Sequence, residues 1–437
     1  MKKKIAAVIC LTLSVSLLAG CTTFNNFKNA FFVADSEDTA PSEKTIKIGV
    51  FEPLTGENKE QGNLELMGIE LANELYPEVL GKKVELIVAD NQSDIYVAET
   101  VVQELVSQQP SVVLGSYGET LTLIAGDAVK ANNIPAIAIT STNPLITVNN
   151  QYYFCATYAE SKQGDALADF VYTQHKKTKA ATVKMSGDDT ATANVRKFKG
   201  KMEALTGNEE AIVGSFELSP DSKDYSKAVE QLESCGAEAV FLDVSPKIAT
   251  EFFKQAEKSN LTNVLFVGPK SWNDKDFLSY IESERKFDIG YAADFSANTT
   301  TSEMSEKFIK AYREKYGDDT EPAQETAVAF DAYLMAISAI EDAYNNTMSY
   351  TMEEYAALAT GEAEGKAMKD EWGATKETGI PTGKAIRDAI KRIEGFKGAS
   401  GIITYGGTNE AMKTIEVVYH DKGVLKDSFT VEAEKLE

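Results

Sequence analysis

The stretch IKIGVFEPL, residues 46–54, is an apolar run that ends at Pro53 and the turn Thr55-Gly56, and an amphipathic helical pattern over 60–76 follows it. The unit then repeats: VELIVAD (84–90) precedes a helical pattern over 94–107, VVLG (112–115) precedes one over 121–132, and PAIAIT (135–140) closes the series. Short apolar strands alternating with helices form a parallel sheet covered on both faces, because strands buried on both sides read as continuous apolar runs. The fold class is therefore α/β, with a doubly wound, Rossmann-like first lobe. After Tyr152–Thr157 the rhythm restarts, with strands at 180–185, 211–217, 239–244 and 264–269 separated by helices at 162–175, 191–206, 225–235 and 247–259. That is a second lobe of the same kind.

Both ends of the chain differ from this middle. Lys2–Lys4 precede an apolar run from Ile5 to Leu18 and then Leu18-Ala19-Gly20-Cys21. This is the layout of a secretory signal peptide, and the run is shorter than the roughly 20 residues a membrane-spanning helix needs. Residues 1–20 are read as a signal peptide and 21–44 as a polar stalk, whose scattered phenylalanines lie on a membrane surface or pack on the domain. The Leu-Ala-Gly-Cys tetrad resembles a bacterial lipobox. That resemblance implies diacylation of Cys21, enough to anchor the protein to the outer face of the cell membrane. Past residue 302 the chain is helical over 302–316, 323–344 and 383–394, interrupted by a polar surface insertion at 345–380 with a short helical pattern at 352–358, and followed by strand-like segments at 401–405, 413–420 and 428–432.

Composition excludes several function classes. A net charge of −23 repels nucleic acid and anionic lipid heads. Only His175 and His420 exist, read as solvated surface residues, so a Ser-His-Asp site has almost no material. There is no phosphate-cradling glycine loop after a strand, no metal spacing among the four cysteines, and no cofactor motif. Asp90, Asp94, Asp188 and Asp189 sit where turns and helix caps fall. Cys155 and Cys235 could pair in an exported chain, but the apolar strand-like run around Cys155 and the helix-end position of Cys235 before Gly236 favour two unpaired thiols. The chain reads as a binding protein, not an enzyme.

In an open parallel sheet, ligands bind in the crevice beyond the carboxyl ends of the strands. This rule selects, in the first lobe, Gln61, Ser116, Tyr117, Glu119, Thr120, Thr140, Ser141 and Thr142, and in the second Thr190, Val244, Lys270 and Trp272. The hydroxyls among them stand beside helix amino termini, whose free N–H groups hold anions; each is equally able to be a plain cap.

A collinear series of short matches gives a family resemblance. It runs from Leu54-Thr55-Gly56 and Gly68-Ile69-Glu70-Leu71-Ala72 through Val113–Tyr117, Ser141-Thr142-Asn143-Pro144, Gly187-Asp188-Asp189 and Val267-Gly268-Pro269 to Gly401–Tyr405. The chain from Thr45 to Gly423 resembles the branched-chain amino acid binding proteins of ABC importers, of the type I periplasmic binding protein family. The resemblance implies a Venus-flytrap with three hinge crossings, near 156–158, 294–296 and 402–405. Lobe 1 would span 45–156 plus 296–400 and lobe 2 157–295 plus 401–437. It further implies a monomer that binds a small-molecule ligand, an amino acid or related polar metabolite, and meets ABC permease subunits; a lipid-anchored sensor of the same fold is the alternative. The carboxylate clamp of the family falls on the 119–120 turn and Thr140–Thr142, and further ligand contacts on Thr190, Val244 and Lys270. Gln61 and Thr190 stand where the family carries aromatics, and Lys270 where it carries an acid. Lysine there would repel an ammonium and attract a second anion, while Glu119 would hold a cation instead or pair with Lys270 across the cleft; the ligand is expected to be more polar than leucine, with an additional anionic or amide group.

Overall fold

The computed structural model describes residues 45–297, 302–349, 351–358 and 361–432. Cys21, the signal segment and the stalk lie outside the described residues. The first lobe is built on strands β1 (Ile46–Glu52), β2 (Glu78–Val79), β3 (Lys82–Asp90), β4 (Val112–Gly115), β5 (Ala136–Ala138) and β6 (Tyr153–Cys155), in the order β2-β3-β1-β4-β5-β6. All neighbours are parallel except the short edge strand β2. The second lobe carries β7 (Ala180–Met185), β8 (Ile212–Leu218), β9 (Ala239–Asp243), β10 (Leu265–Gly268) and β11 (Asp288–Ala293). Their order is β11-β10-β9-β7-β8, extended beyond β11 by two antiparallel strands from the end of the chain, β15 (Ile415–Asp421) and β16 (Val424–Val431).

Burial explains these choices. On one face of the first sheet, Val101, Val102, Leu105, Leu121, Ala125 and Val129 from helices Ile95–Ser107 and Glu119–Ala131 form one core. On the other, helices Lys59–Leu75, Glu303–Tyr316, Gln324–Met348 and Gly383–Lys391 form a second, around Ile69, Phe308, Phe330 and Ile386. The crossing of Lys59–Leu75 over Gln324–Met348 is close: a Cβ on Gly68 would come within 2.1 Å of the Thr326 carbonyl oxygen, so only glycine fits. Asp94, Asp188 and Thr382 cap their helices by accepting from free N–H groups of the first turn. Asp90 accepts from the Leu54, Thr55 and Gln92 amides and the Thr55 hydroxyl, a turn-fixing role.

The structure differs from the sequence reading in three places. The third crossing does not fall at 402–405. That segment belongs to a small antiparallel sheet, β12 (Phe396–Lys397), β13 (Ile402–Thr404) and β14 (Met412–Lys413), and Ile403 and Tyr405 are buried in the first lobe's core. Tyr405 stacks edge-on against Phe154 at 5.5 Å and donates to the Cys155 carbonyl, so the chain enters the second sheet only at Ile415. Besides the expected helix, found at Met352–Ala357, the 345–380 insertion contains a 17-residue helix, Glu362–Thr378, that the sequence reading does not anticipate. Its interior Gly365 and Gly373 weaken the sequence signal; Lys376 lies over Trp372 within the helix, and the Glu371–Lys384 ion pair at 3.6 Å ties it to the next helix. His420 is buried, because β15 is flanked on both sides, and burial pushes its imidazole pKa down; His175 is half-buried between Phe170 and Tyr419. Cys155 and Cys235 are free thiols. No helix among the described residues is long and apolar enough to cross a membrane.

Candidate functional site

Parallel strand order reverses between β1 and β4 in the first lobe, and loops diverge there to leave a crevice. The crevice floor is acidic. Glu52 ends β1, and Glu65 lies on the inward face of helix Lys59–Leu75; both are fully buried. Glu52 Oε2 accepts from the Tyr117 amide at 2.8 Å, and Glu65 Oε1 from the Thr140 hydroxyl at 2.5 Å. Burial pushes the Glu65 carboxyl up to about 7, and burial together with Glu65 pushes Glu52 well above the usual range. A Cβ on Gly115, whose φ is +107°, would lie 2.3 Å from Glu52 Oε1, which fixes glycine at the end of β4.

Above this floor the hydroxyls are bonded to one another. Asn91 donates to Ser116 Oγ, Ser116 Oγ donates to the Tyr117 carbonyl, and the Thr122 hydroxyl sits 2.9 Å from that of Ser141. Ser116 and Ser141 are buried scaffold groups. Tyr117 is half-buried, and burial, with Glu325 and Glu65 nearby, pushes its phenol up to about 12.

The second lobe approaches through the loop after β10. The Lys270 amide donates to Gln163 Oε1, and its ammonium lies 3.4 Å from both the Thr140 carbonyl of the first lobe and Asp294 Oδ2. Loops from two separate sheets therefore converge. Asp294 ties all three crossings: it accepts from Thr157 on the first, stands itself on the second, and lies 3.6 Å from the fully buried Lys413 on the third. Lys413 also donates to the Asp294 and Ser400 carbonyls. Burial pushes the Asp294 carboxyl up, but Lys270 and Lys413 outweigh it and hold it below the usual range.

A cavity of about 470 Å³ opens between the lobes, of a size that fits a small metabolite. Glu119, Thr142 and Thr190 of the sequence-selected residues line it, together with the first crossing at 157–161. A second hollow of about 520 Å³ shares Thr147, Tyr158, Ala159 and Glu410 with it and extends along the crossing toward Lys413. The strand-end argument favours the first, which has walls from both lobes. Gln61 is half-buried and Thr120 exposed, and neither lines these hollows. Trp272 is placed elsewhere: its indole is fully buried among Phe253 and Phe277 and donates to the Val244 carbonyl, so both residues serve the second lobe's core. The Glu119–Lys270 pair is not formed; Glu119 accepts from Asn143, and Lys270 is met by Asp294.

A family model for periplasmic binding proteins matches residues 45–423. The chain belongs to that family. Membership places it among solute-binding proteins, not enzymes, with two lobes of the type I form. A curated relative, the Leu/Ile/Val-binding protein homolog 3 of Brucella melitensis, is 27% identical over 206 residues; the match covers 45% of this chain and 53% of the relative, so the chain aligns with about half that protein's length. Among solved structures, the leucine-binding protein LivK of Thermotoga maritima is 21% identical with a TM-score of 0.63, covering 89% of this chain and 99% of that one. A solute-binding protein of Rhodopseudomonas palustris in complex with 3,4-dihydroxybenzoic acid gives 18% and 0.61, covering 88% and 97%. These likenesses support the fold alone.

Sequence reading of this periplasmic binding protein missed Glu52, Glu65, Glu160, Asp294, Glu410 and Lys413. Two carried a signal. Glu52 is the one charged residue in the apolar run VFEPL, and Glu65 shares the buried face of its helix with Gly62, Gly68, Ile69 and Ala72, spaced three and four apart. Asp294 and Lys413 meet only through the chain crossings, which no local pattern reports.

Proposed function

We propose that this protein captures an amino acid or similar small polar solute between its lobes and delivers it to the permease subunits of an ABC importer, tethered through diacylated Cys21 at the outer face of the membrane. One observation carries the reading: Lys270 of one lobe reaches the Thr140 carbonyl of the other beside a cavity walled by both. Glu119, Thr142 and Thr190 contact the solute, while Tyr117 and Thr140, set by the buried glutamates, shape the adjoining wall. A solute that binds only the closed, folded protein stabilises it by linkage, by about 2.7 kcal/mol at a hundredfold excess over Kd. A thermal-shift screen of the purified protein against amino acids, amines, amides, dicarboxylates and aromatic acids is expected to raise the melting temperature by several degrees for one class. A flat response to every class sinks the reading. Metabolic labelling with a palmitate analogue is expected to mark the native chain and leave Cys21→Ala unlabelled.

A further inference from the structure

We infer that the inter-lobe cavity takes a small organic cation, a solute of net positive charge bearing an ammonium or guanidinium group, and not the additional anion that a lysine at position 270 suggests from sequence. This rests on the solute-binding reading and narrows it to one charge class. Four carboxylates line the cavity, each from a different part of the chain: Glu119 at the start of a first-lobe helix, Glu160 on the first crossing, Asp189 at the start of a second-lobe helix, and Glu410 in the loop between β13 and β14. Among the described residues, no lysine or arginine lines it. Three of these acids accept from neutral donors: Asn143 donates to Glu119, Thr142 to Glu160 and Thr147 to Glu410. At the hinge Lys270 is committed to Asp294 and Lys413 to Asp294 and Ser400, while Lys162 lines the adjoining hollow.

An independent observation comes from Asn194, which lines the same cavity and is 1% exposed. Its Nδ2 donates to Asp243 Oδ2 at 2.8 Å, which fixes the amide, and its Oδ1 is buried with no partner. A buried acceptor without a donor is costly, and ammonium and guanidinium groups are donors only. Burial first, and the negative charges of Glu160 and Asp188 after it, push Asp243 behind Asn194 up to about 7. Carboxylates of one sign around a low-dielectric cleft concentrate cations and exclude anions, and the walls of so small a cavity lie within about one Debye length, roughly 8 Å at physiological salt.

Isothermal titration of the purified protein with arginine, putrescine, leucine and 4-hydroxybenzoate tests this. Arginine or putrescine is expected to bind at least tenfold tighter than leucine or 4-hydroxybenzoate, and to weaken as sodium chloride rises from 50 to 500 mM. Arginine and putrescine together show whether a carboxylate on the solute is also read. Changing Glu160→Gln and Glu410→Gln together is expected to weaken the cation at least tenfold while the melting temperature stays within a few degrees of the parent. Tighter binding of leucine or 4-hydroxybenzoate than of either cation overturns the inference and leaves solute binding standing. Absence of binding by any probe, together with a flat thermal screen, overturns both.

Discussion

In the first lobe β1 ends in Glu52, and its neighbour β4 ends in Gly115 beneath a net of serine and threonine hydroxyls; in the second, β7 ends in Met185 and its neighbour β9 in Asp243, held by Asn194. The two sheets repeat one parallel order: β3-β1-β4-β5-β6 in the first matches β8-β7-β9-β10-β11 in the second. The order fixes where each crevice opens, since loops diverge where it reverses. The side chains at that point fix what the crevice can hold. The edges differ too: β6 leads directly into the first crossing, whereas β11 is covered by the β15–β16 hairpin, which returns the chain's end to the second lobe.

The largest effect is expected where the lobes are joined. Asp294→Ala leaves the fully buried Lys413 without its carboxylate, and breaking a buried pair by removing one partner costs about 3–5 kcal/mol. Denaturant unfolding is expected to show that loss, with part of it recovered by adding Lys413→Met. A loss under about 1 kcal/mol would mean that the crossings are not joined through this carboxylate.

Asp243 sharpens the contrast between the two crevices. Its folded-state pKa of about 7 lies above the ordinary aspartate value of 3.8, so between these values the folded protein holds a proton that the unfolded chain has released. Stability therefore falls as pH rises through that window, at up to about 1.4 kcal/mol per pH unit, and is lowest above it. Asp243→Asn, which keeps an acceptor for Asn194, is expected to flatten the melting-temperature profile between pH 4 and 7 and to raise stability at pH 8 by about 2–4 kcal/mol. An unchanged profile would refute the assignment.

Trp272 gives the smallest effect. Trp272→Phe removes the donor to the buried Val244 carbonyl and is expected to cost about 1–3 kcal/mol. Solute affinity should hold within about twofold if the indole belongs to the core; a tenfold loss with unchanged stability would return it to the cleft.

Local chemistry determined the alternating strands and helices, the two lobes, the capping aspartates and the strand-end loops. Each follows from apolar periodicity and turn residues within some twenty positions of one another. The tertiary structure alone decided that Trp272 packs inward, that β13 joins the first lobe, and that Glu119, Glu160, Asp189 and Glu410 surround one cavity. It likewise decided that Lys270 spends its charge on Asp294, 24 residues away, beside a buried lysine a further 119 residues along. The physical reason is range. Burial periodicity and capping act between neighbours in sequence, whereas the charge balance of a cleft depends on which distant segments the crossings bring within a few ångströms.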